Sequence, residues 1–310
     1  MNQDALRDLS AGALVGCALG DAIGELAFVH PEREALMRVV TDAETLVYTD
    51  DTAMTVELAR ALAEDGRVDR ARLGERFAAA HEAEPWRGYG PGPPKIFRTA
   101  AHRRQPYHEI AALLHGGQGS LGNGAAMRVA PAGVAYRDTA ERADAARTSA
   151  TITHAHPVGQ DAAALQAHTV ALAVTNALAG EPLDGERAAR ELVRAAHSEE
   201  MHRKLAIVAA ALSDGTPPDR VAHAIGRSVA AHESVPFAIY AFLRAPTDFE
   251  AVLDCAILNS GDRDTLGAMA AAACGAHIGL SGLPAPWRER AENGDTLVRL
   301  GHALADRFPV

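Results

Sequence analysis

Apolar residues recur at the spacing of an amphipathic helix along most of the chain, and the alternation typical of a strand is nowhere sustained. The helical pattern is clear in residues 53–64, 73–83, 160–179, 186–197, 204–212, 219–231, 249–258 and 266–278. Gly12, Gly16, Gly20 and Gly24 stand four residues apart, so they share a helix face that another backbone can approach closely. Alanine dominates these segments and aromatic residues make up only 5%, which favours helix packing over sheet. The pattern predicts an all-α protein.

Glycine and proline interrupt the helical pattern at residues 88–94, 116–124 and 215–218. None of these breaks is a long low-complexity linker, and the sequence contains no internal repeat. A chain of 310 residues has ample length to bury a core. We therefore expect one compact domain over residues 1–310.

The composition narrows the classes of partner and compartment. Hydrophobic residues make up 48% of the chain and charged residues 23%, the balance of a folded globular protein. The net charge of −10 argues against nucleic acid or an anionic membrane surface as the main partner. Cys17, Cys255 and Cys274 spell no CxxC motif, so neither a disulfide framework nor a zinc site is expected. The N-terminus lacks a secretory-signal pattern, and residues 266–287, the longest uncharged stretch, are too weakly apolar for a membrane span. These features predict a cytoplasmic protein that does not enter a membrane.

Two acidic clusters, far apart in the chain, each stand directly before an apolar helix. The first has the sequence TDDT at residues 49–52, and the second has SGDRDT at residues 260–265. Such residues cap helices and complement the helix dipole. Asp and Thr oxygens are also the hard ligands that Mg²⁺ and Mn²⁺ prefer, and carboxylates beside an apolar helix are costly unless a cation neutralises them. The residues alone leave both interpretations open.

The glycine-rich segment GGQGSLGNG, residues 116–124, contains a GxGxxG match at Gly117, Gly119 and Gly122. It follows a predicted helix and no βαβ unit surrounds it, so a dinucleotide-binding fold is not expected. The segment is either a flexible loop or a backbone that donates N–H groups to phosphates. His154 and His156 precede a predicted helix, where one of them can contact a ligand. The sequence contains no HExxH, GxSxG or Walker A motif, which disfavours zinc proteases, serine hydrolases and P-loop enzymes.

Taken together, these blocks resemble the ADP-ribosylglycohydrolase family, which includes the dinitrogenase-reductase-activating glycohydrolases and the vertebrate ADP-ribosyl-acceptor hydrolases. The matching blocks are GDAIG (20–24), YTDDTAM (48–54), RGYG (87–90), GNGAAMR (122–128), TH (153–154) and GDRDT (261–265). A further pair, ESVP (233–236) and AIY (238–240), looks most like the branch that removes ADP-ribose from serine. The blocks keep the family's order over nearly the whole chain.

The resemblance implies an orthogonal helical bundle with a central cleft that holds two Mg²⁺ or Mn²⁺ ions. The metal ligands that it implies are Thr49, Asp50, Asp51, Asp262, Asp264 and Thr265. The substrate-binding residues that it implies are Asp21, Gly117, Gly119, Ser120, Leu121, Gly122, Asn123, Gly124 and His154. In this interpretation the loop 119–124 holds the diphosphate and the distal ribose, which His154 contacts.

The activity that the resemblance implies is metal-dependent release of ADP-ribose from protein side chains, serine-linked in preference to arginine-linked. Cleavage at C1″ builds oxocarbenium character that carboxylates stabilise, while an acid or metal-activated water handles the proton. The expected partners are ADP-ribosylated proteins, and the expected state is a monomer. Two alternatives stay open: the same fold acting on a small ADP-ribose derivative or nucleotide conjugate, and a non-catalytic ADP-ribose-binding protein.

Three positions depart from the family pattern. Phe28 stands where the family places its catalytic-loop glutamate, so Glu25 is the expected acid/base or water-positioning group, with Glu32 in reserve. Arg263 replaces a small hydroxyl residue between two aspartates, where a guanidinium can bind phosphate or neutralise carboxylates. Leu121 replaces an aromatic residue of the serine-type branch, so we expect weaker stacking on the base or ribose.

Overall fold

The computed structural model describes residues 2–310, and over that range the chain forms helices and no strand. The helices are α1 (Gln3–Val29), α2 (Arg33–Asp42), α3 (Asp50–Asp65), α4 (Arg70–Ala83), α5 (Gly92–Arg103), α6 (Tyr107–Ala112), α7 (Leu114–Gly117), α8 (Ala130–Ala135), α9 (Glu141–Thr151), α10 (Pro157–Ala179), α11 (Gly185–Ala195), α12 (Glu199–Asp214), α13 (Pro218–Ile225), α14 (Ala231–Leu243), α15 (Phe249–Leu258), α16 (Arg263–Gly282), α17 (Ala285–Arg288) and α18 (Gly294–Arg307). The predicted all-α fold is confirmed.

Helices α1 and α16 form an antiparallel pair at the centre, and the glycine stripe of α1 makes their contact. A Cβ atom on Gly12 would lie 2.3 Å from the carbonyl oxygen of Gly275, and one on Gly20 would lie 2.1 Å from that of Gly267. Both distances are well below van der Waals contact, so only glycine permits this approach. The pairing brings the C-terminal half of α1 beside the first turn of α16.

Two further long helices surround this pair. The start of α3 packs on α1, where the Cys17 sulfur lies 3.7 Å from the Thr55 hydroxyl. Helix α10 packs on α16, and the Gln166 amide donates to the Met269 carbonyl at 2.9 Å. Helices α1 and α10 are long and apolar enough to cross a membrane, but 78% and 61% of their most apolar windows are buried inside the fold. Both serve as core helices of this bundle.

Several helices begin before their apolar pattern does because a polar side chain caps them. Asp69 accepts hydrogen bonds from the backbone N–H groups of Ala71 and Arg72, so α4 begins at Arg70.

The predicted helix over residues 219–231 is wrong in its second half. Helix α13 ends at Ile225 because Gly226 has a φ of +111°, and α14 begins only at Ala231. The residues between them run beside residues 119–124, the glycine-rich loop.

Candidate active site

Most of the predicted site residues meet at one cleft, a cavity of about 640 Å³. The wall includes these predicted residues: Asp50, Asp51, Gly119, Ser120, Leu121, Gly122, Asn123, Gly124, His154, Asp262, Asp264 and Thr265. The two acidic clusters, remote in sequence, therefore share a cavity with the glycine-rich loop. Helix pairing explains this arrangement, because α1 holds the starts of both α3 and α16.

In neither acidic cluster does the side chain of the N-cap residue cap the helix that follows. Thr49 is the N-cap residue of α3 and Asp262 that of α16, and neither side chain makes a capping hydrogen bond. Asp50 and Asp51 instead stand in the first turn of α3 with their residues almost fully buried. Helix capping therefore does not account for these residues.

The carboxylates of the cleft resist ionisation because they are buried together. Burial, followed by the charges of Asp21 and Asp264, raises the pKa of Asp50 to about 8 and that of Asp51 well above its usual range. Burial and the charge of Asp262 raise the pKa of Asp264 to about 7. Burial also raises the pKa of Asp262. Such mutual repulsion is what a bound cation relieves.

The donor set fits a hard divalent cation, although it is not preassembled as a metal site. The Asp51 Oδ1 atom is buried and has no hydrogen-bond partner in residues 2–310, so one carboxylate oxygen is free for a ligand. The proposed ligands are all oxygens, as Mg²⁺ and Mn²⁺ prefer. Across the same residues, no group of three or more His, Cys, Asp or Glu side chains is arranged to hold a metal. Two of the six proposed ligands, Thr49 and Thr265, are threonines and so do not belong to a group of that kind.

Asp21 lies behind the cleft wall, fully buried, so the structure gives it a different place from the predicted substrate contact. Its carboxylate accepts hydrogen bonds from the backbone N–H groups of Thr49 and Thr52, each at 3.0 Å. The Thr49 and Thr52 hydroxyls donate to the same carboxylate at 2.8 and 2.6 Å. Asp21 thus fixes the first turn of α3, where Asp50 and Asp51 stand. Thr49 likewise faces Asp21 and is absent from the cavity wall.

The glycine-rich loop is shaped by the residues around His154. Gly119 has a φ of +75°, and a Cβ there would lie 2.6 Å from the His156 backbone nitrogen. A Cβ on Gly124 would lie 2.8 Å from the His154 ring. Asn123 donates from its side chain to Asp262 at 2.5 Å, which links the loop directly to the second acidic cluster. Gly117 was predicted to belong to this loop, but it is exposed and absent from the cavity wall.

His154 is a neutral imidazole in the wall. Burial, aided by the charge of Arg128, lowers the pKa of His154 to about 3. Its Nδ1 atom lies 2.7 Å from the Thr153 hydroxyl oxygen, which fixes the ring orientation. The Nε2 atom is left to donate to a ligand or to accept from one, and the neutral ring adds no charge beside the acids.

Arg128 is a fully buried cation behind the glycine-rich loop. Its guanidinium donates to the Gly124 carbonyl at 2.8 Å and to the Ser149 carbonyl at 2.7 Å, and it stacks over the Phe77 ring at 4.7 Å. Burial lowers the pKa of this guanidinium to about 9, against the opposing charge of Asp50. The side chain shapes the loop and leaves a positive charge near the acids.

The two candidate glutamates are exposed and stand outside the cavity wall. Glu25 nevertheless lies near the acids, because its charge contributes to the raised pKa of Asp264. Glu32 precedes α2 as its N-cap residue. Arg263 makes no ion pair with the flanking aspartates in the described part of the chain, and one of its guanidinium nitrogens is buried without a partner.

The wall also includes residues outside the predicted site set, although His156 is a predicted candidate for ligand contact and several others lie in the matching blocks. These residues are Met54, Gly88, Gly90, Pro91, Gly92, Pro93, His115, Gln118, Met127, Thr153, His156, Ser228, Val229, Ala230. The RGYG block, residues 87–90, points to the wall residues 88–93, whereas the wall residues 228–230 fall inside the predicted helix over residues 219–231. Their signal was Gly226, a helix breaker within that predicted helix.

The RGYG block also anchors the first acidic cluster. Arg87 is buried, donates to the Tyr48 carbonyl at 2.8 Å and binds the Glu292 carboxylate at 2.6 and 3.0 Å. Glu292 in turn accepts from the Tyr48 N–H group at 3.2 Å. Arg87 and Glu292 thus fix the carbonyl and the N–H group of Tyr48, the residue before Thr49.

Comparison with known proteins agrees with this geometry. The sequence matches the family model described as ADP-ribosylglycohydrolase over residues 2–310. The chain belongs to the ADP-ribosylglycohydrolase family. It is 34% identical to the ADP-ribosylhydrolase ARH3 of Bos taurus, over 97% of this chain and 93% of that protein. It is 32% identical to ADP-ribosylhydrolase ARH3 of Mus musculus, over 94% of this chain and 90% of that protein.

A solved structure shares the fold. The ADP-ribosylglycohydrolase-related protein complex superposes with a TM-score of 0.72 at 22% identity, covering 99% of this chain and 100% of that one. The predictions of family, fold class and a glycosidic-bond hydrolase are confirmed. The metal ions, the linkage and the individual site residues stay predictions of the ADP-ribosylglycohydrolase assignment.

Proposed function

We propose that this ADP-ribosylglycohydrolase releases ADP-ribose from serine side chains of modified proteins by hydrolysing the bond at C1″, with two Mg²⁺ or Mn²⁺ ions in the cleft. One observation carries the proposal. Four aspartates, two at the start of α3 and two at the start of α16, share a cavity with the glycine-rich loop. The Asn123 side chain in that loop donates a hydrogen bond to Asp262 at 2.5 Å. A phosphate-binding backbone beside an acidic centre suits a substrate with a diphosphate and a ribose diol.

The residues proposed to hold the cations are Thr49, Asp50, Asp51, Asp262, Asp264 and Thr265. The raised pKa values of the four aspartates and the unpartnered Asp51 oxygen support this ligand set. When bound, the cations orient the ribose hydroxyls and lower the pKa of water. Thr49 fits least well, because its hydroxyl donates to Asp21.

The glycine-rich loop binds the diphosphate and the distal ribose in this proposal. Gly122 and Gly124 leave room for the His154 ring, and that neutral ring contacts the ribose without adding charge. The carboxylates face a developing positive charge at C1″, which they stabilise.

Glu25 is the residue proposed to move the proton. It follows the α1 face that packs on α16, it is exposed, and its charge acts on Asp264. An exposed carboxylate at the edge of an acidic centre can position water or exchange a proton with solvent. Glu32 is the reserve, and it stands before α2 as its N-cap residue.

The serine preference is supported by the ESVP and AIY blocks, residues 233–236 and 238–240, which resemble the serine-directed branch. The expected partners are therefore ADP-ribosylated proteins. A small ADP-ribose derivative as substrate, or a binding role without turnover, is the alternative outcome of the experiment below.

The test is release of free ADP-ribose from a serine-ADP-ribosylated peptide and from an arginine-ADP-ribosylated peptide, with Mg²⁺ or Mn²⁺ and with EDTA. We expect faster release from the serine peptide and its loss in EDTA, with recovery when the cation is restored. The Asp262→Ala variant is the matched inactive control. Release that persists in EDTA would contradict the metal proposal, and a faster arginine peptide would contradict the linkage. ADP-ribose binding without release would leave a binding protein or a different substrate.

A further inference from the structure

The segment between α13 and α14, residues 226–230, forms one wall of the cleft without belonging to a helix. Ser228, Val229 and Ala230 line the cavity, and Val229 is 60% exposed although it is apolar. Helical hydrogen bonds reach only the two ends of this segment, where the Gly226 N–H group donates to the Ala222 carbonyl and the Ala230 carbonyl accepts from the Ser234 N–H group. The middle of the segment keeps its place through other specific contacts.

Two of those contacts join the wall segment to the rest of the cleft. The Asn123 N–H group donates to the Val229 carbonyl at 3.0 Å, next to the short antiparallel pairing of Gly122 with Ala230. The Gly261 N–H group donates to the Arg227 carbonyl at 3.1 Å. The wall segment thus bridges the glycine-rich loop and the turn before Asp262.

The third contact is a carboxylate within the first turn of α14. Glu233 Oε2 accepts hydrogen bonds from the Ser228 N–H group at 3.0 Å and from the Ser228 hydroxyl at 2.7 Å. That hydroxyl also accepts from the Ala230 N–H group at 3.2 Å, so one carboxylate organises both ends of the turn. Although burial opposes it, hydrogen bonding by Ser228 lowers the pKa of Glu233, with help from the charge of His232. The carboxylate is therefore ionised, and its hydrogen bonds are charge-assisted.

Gly226 makes room for this carboxylate. A Cβ atom on Gly226 would lie 2.2 Å from the Glu233 carboxyl carbon, and the residue has a φ of +111°. An alanine there would force Glu233 away from Ser228. The chain therefore offers two independent ways to remove the same contact.

We propose that Glu233 is a positioning residue for substrate binding, which holds the wall segment 226–230 against the glycine-rich loop and the Gly261 turn. The proposal rests on the proposed function, because the bound group is the ADP-ribosyl moiety. Glu233 does not line the cavity, so its loss weakens binding of that moiety without removing a group that acts on the reacting bond.

The experiment compares Glu233→Ala, Glu233→Gln and Gly226→Ala with the wild-type protein in three measurements. These are KM and kcat for the modified serine peptide, calorimetric binding of ADP-ribose, and amide hydrogen exchange of Asn123 and Gly261. The control is Glu186→Ala, which removes another first-turn glutamate, one that pairs with Arg190 on α11.

In Glu233→Ala and Gly226→Ala we expect KM and the ADP-ribose Kd to rise about tenfold, with kcat changed by less than about twofold. Glu233→Gln should lie between these and the wild type, because an amide oxygen can still accept both hydrogen bonds but lacks the negative charge that strengthens them. The Asn123 and Gly261 amides should exchange faster in both alanine variants. The Glu186 control should match the wild type in all measurements.

Unchanged KM and Kd in Glu233→Ala would overturn the proposal, even if the variant were less stable. A fall in kcat at constant KM would also overturn it, because that result assigns Glu233 to the chemical step. Wild-type protein that neither binds ADP-ribose nor releases it would instead overturn the proposed function, and this inference with it. The wild-type and variant measurements therefore separate the two failures.

Discussion

Replacement of Asp50 by asparagine should stabilise the cation-free protein while it abolishes activity. The Asp50 residue is 92% buried, and other carboxylates surround it. Without a cation, the fold therefore includes electrostatic repulsion that the unfolded chain does not have. An amide of nearly the same shape removes one negative charge from that group.

The magnitude follows from the pKa of Asp50, which burial and the charges of Asp21 and Asp264 raise from 3.8 to about 8. Because the folded protein holds this proton more tightly than the unfolded chain, the cation-free fold loses stability as the pH rises from about 4 through about 8. Each pKa unit corresponds to about 1.4 kcal/mol, so the penalty at pH 8 is at most roughly 5 kcal/mol. A buried amide without full hydrogen bonding costs about 1–3 kcal/mol. We expect a net gain of about 2 kcal/mol at pH 8 and no gain, or a small loss, at about pH 5, where the penalty that the substitution removes is only roughly 1–2 kcal/mol.

The assay is urea unfolding of the wild type and Asp50→Asn at about pH 5 and pH 8, each in EDTA and in Mg²⁺. A saturating cation at a hundred times its Kd should add about 2.7 kcal/mol to the wild type and much less to the variant. The matched control is Asp161→Asn, at a buried carboxylate that accepts three hydrogen bonds from His197 and Ser198. That variant should be destabilised at both pH values. An Asp50→Asn protein less stable than the wild type in EDTA at pH 8 would refute the reasoning.

Three further predictions concern catalysis and packing. Glu25→Gln should slow release of ADP-ribose at least tenfold with its binding kept, whereas Glu32→Gln should match the wild type; the opposite result would exchange their roles. Gly20→Ala should lower the free energy of unfolding by several kcal/mol, because its methyl group would meet the α16 backbone, while Gly90→Ala, with open space around it, should change it by less than about 0.5 kcal/mol. Arg87→Met should weaken calorimetric Mg²⁺ binding about tenfold; unchanged binding would mean that the first acidic cluster holds its position without this anchor.

The sequence predicts the helices well where local signals suffice. Residues 249–258 form a helix with the predicted bounds, because Asp248 caps its start by accepting from the Ala251 N–H group. The glycine stripe of α1 likewise predicts close packing, although not its partner α16. The partner depends on contacts between residues far apart in the chain, which periodicity does not encode.

The parts of the site that sequence reasoning missed are those that depend on tertiary contacts. Residues 227–230 carry no chemical motif, and tertiary contacts bring them to the cleft: Gly261 binds Arg227, Glu233 binds Ser228 and Asn123 binds Val229. Asp21 belongs to a conspicuous block, yet the direction of its carboxylate follows from the packing of α1 on α3. A motif names the residue, whereas burial and hydrogen bonding decide which of its possible roles it takes.

The charge balance around the cleft supports the proposal of two divalent cations rather than one. The carboxylates with raised pKa values are Asp21, Asp50, Asp51, Asp262 and Asp264. Arg128 opposes them as a buried cation that senses the charge of Asp50, but its guanidinium is committed to the Gly124 and Ser149 carbonyls. When all five carboxylates are ionised, this single guanidinium leaves four negative charges, the number that two divalent cations carry. A single cation would leave the buried centre with an uncompensated charge, which burial makes costly.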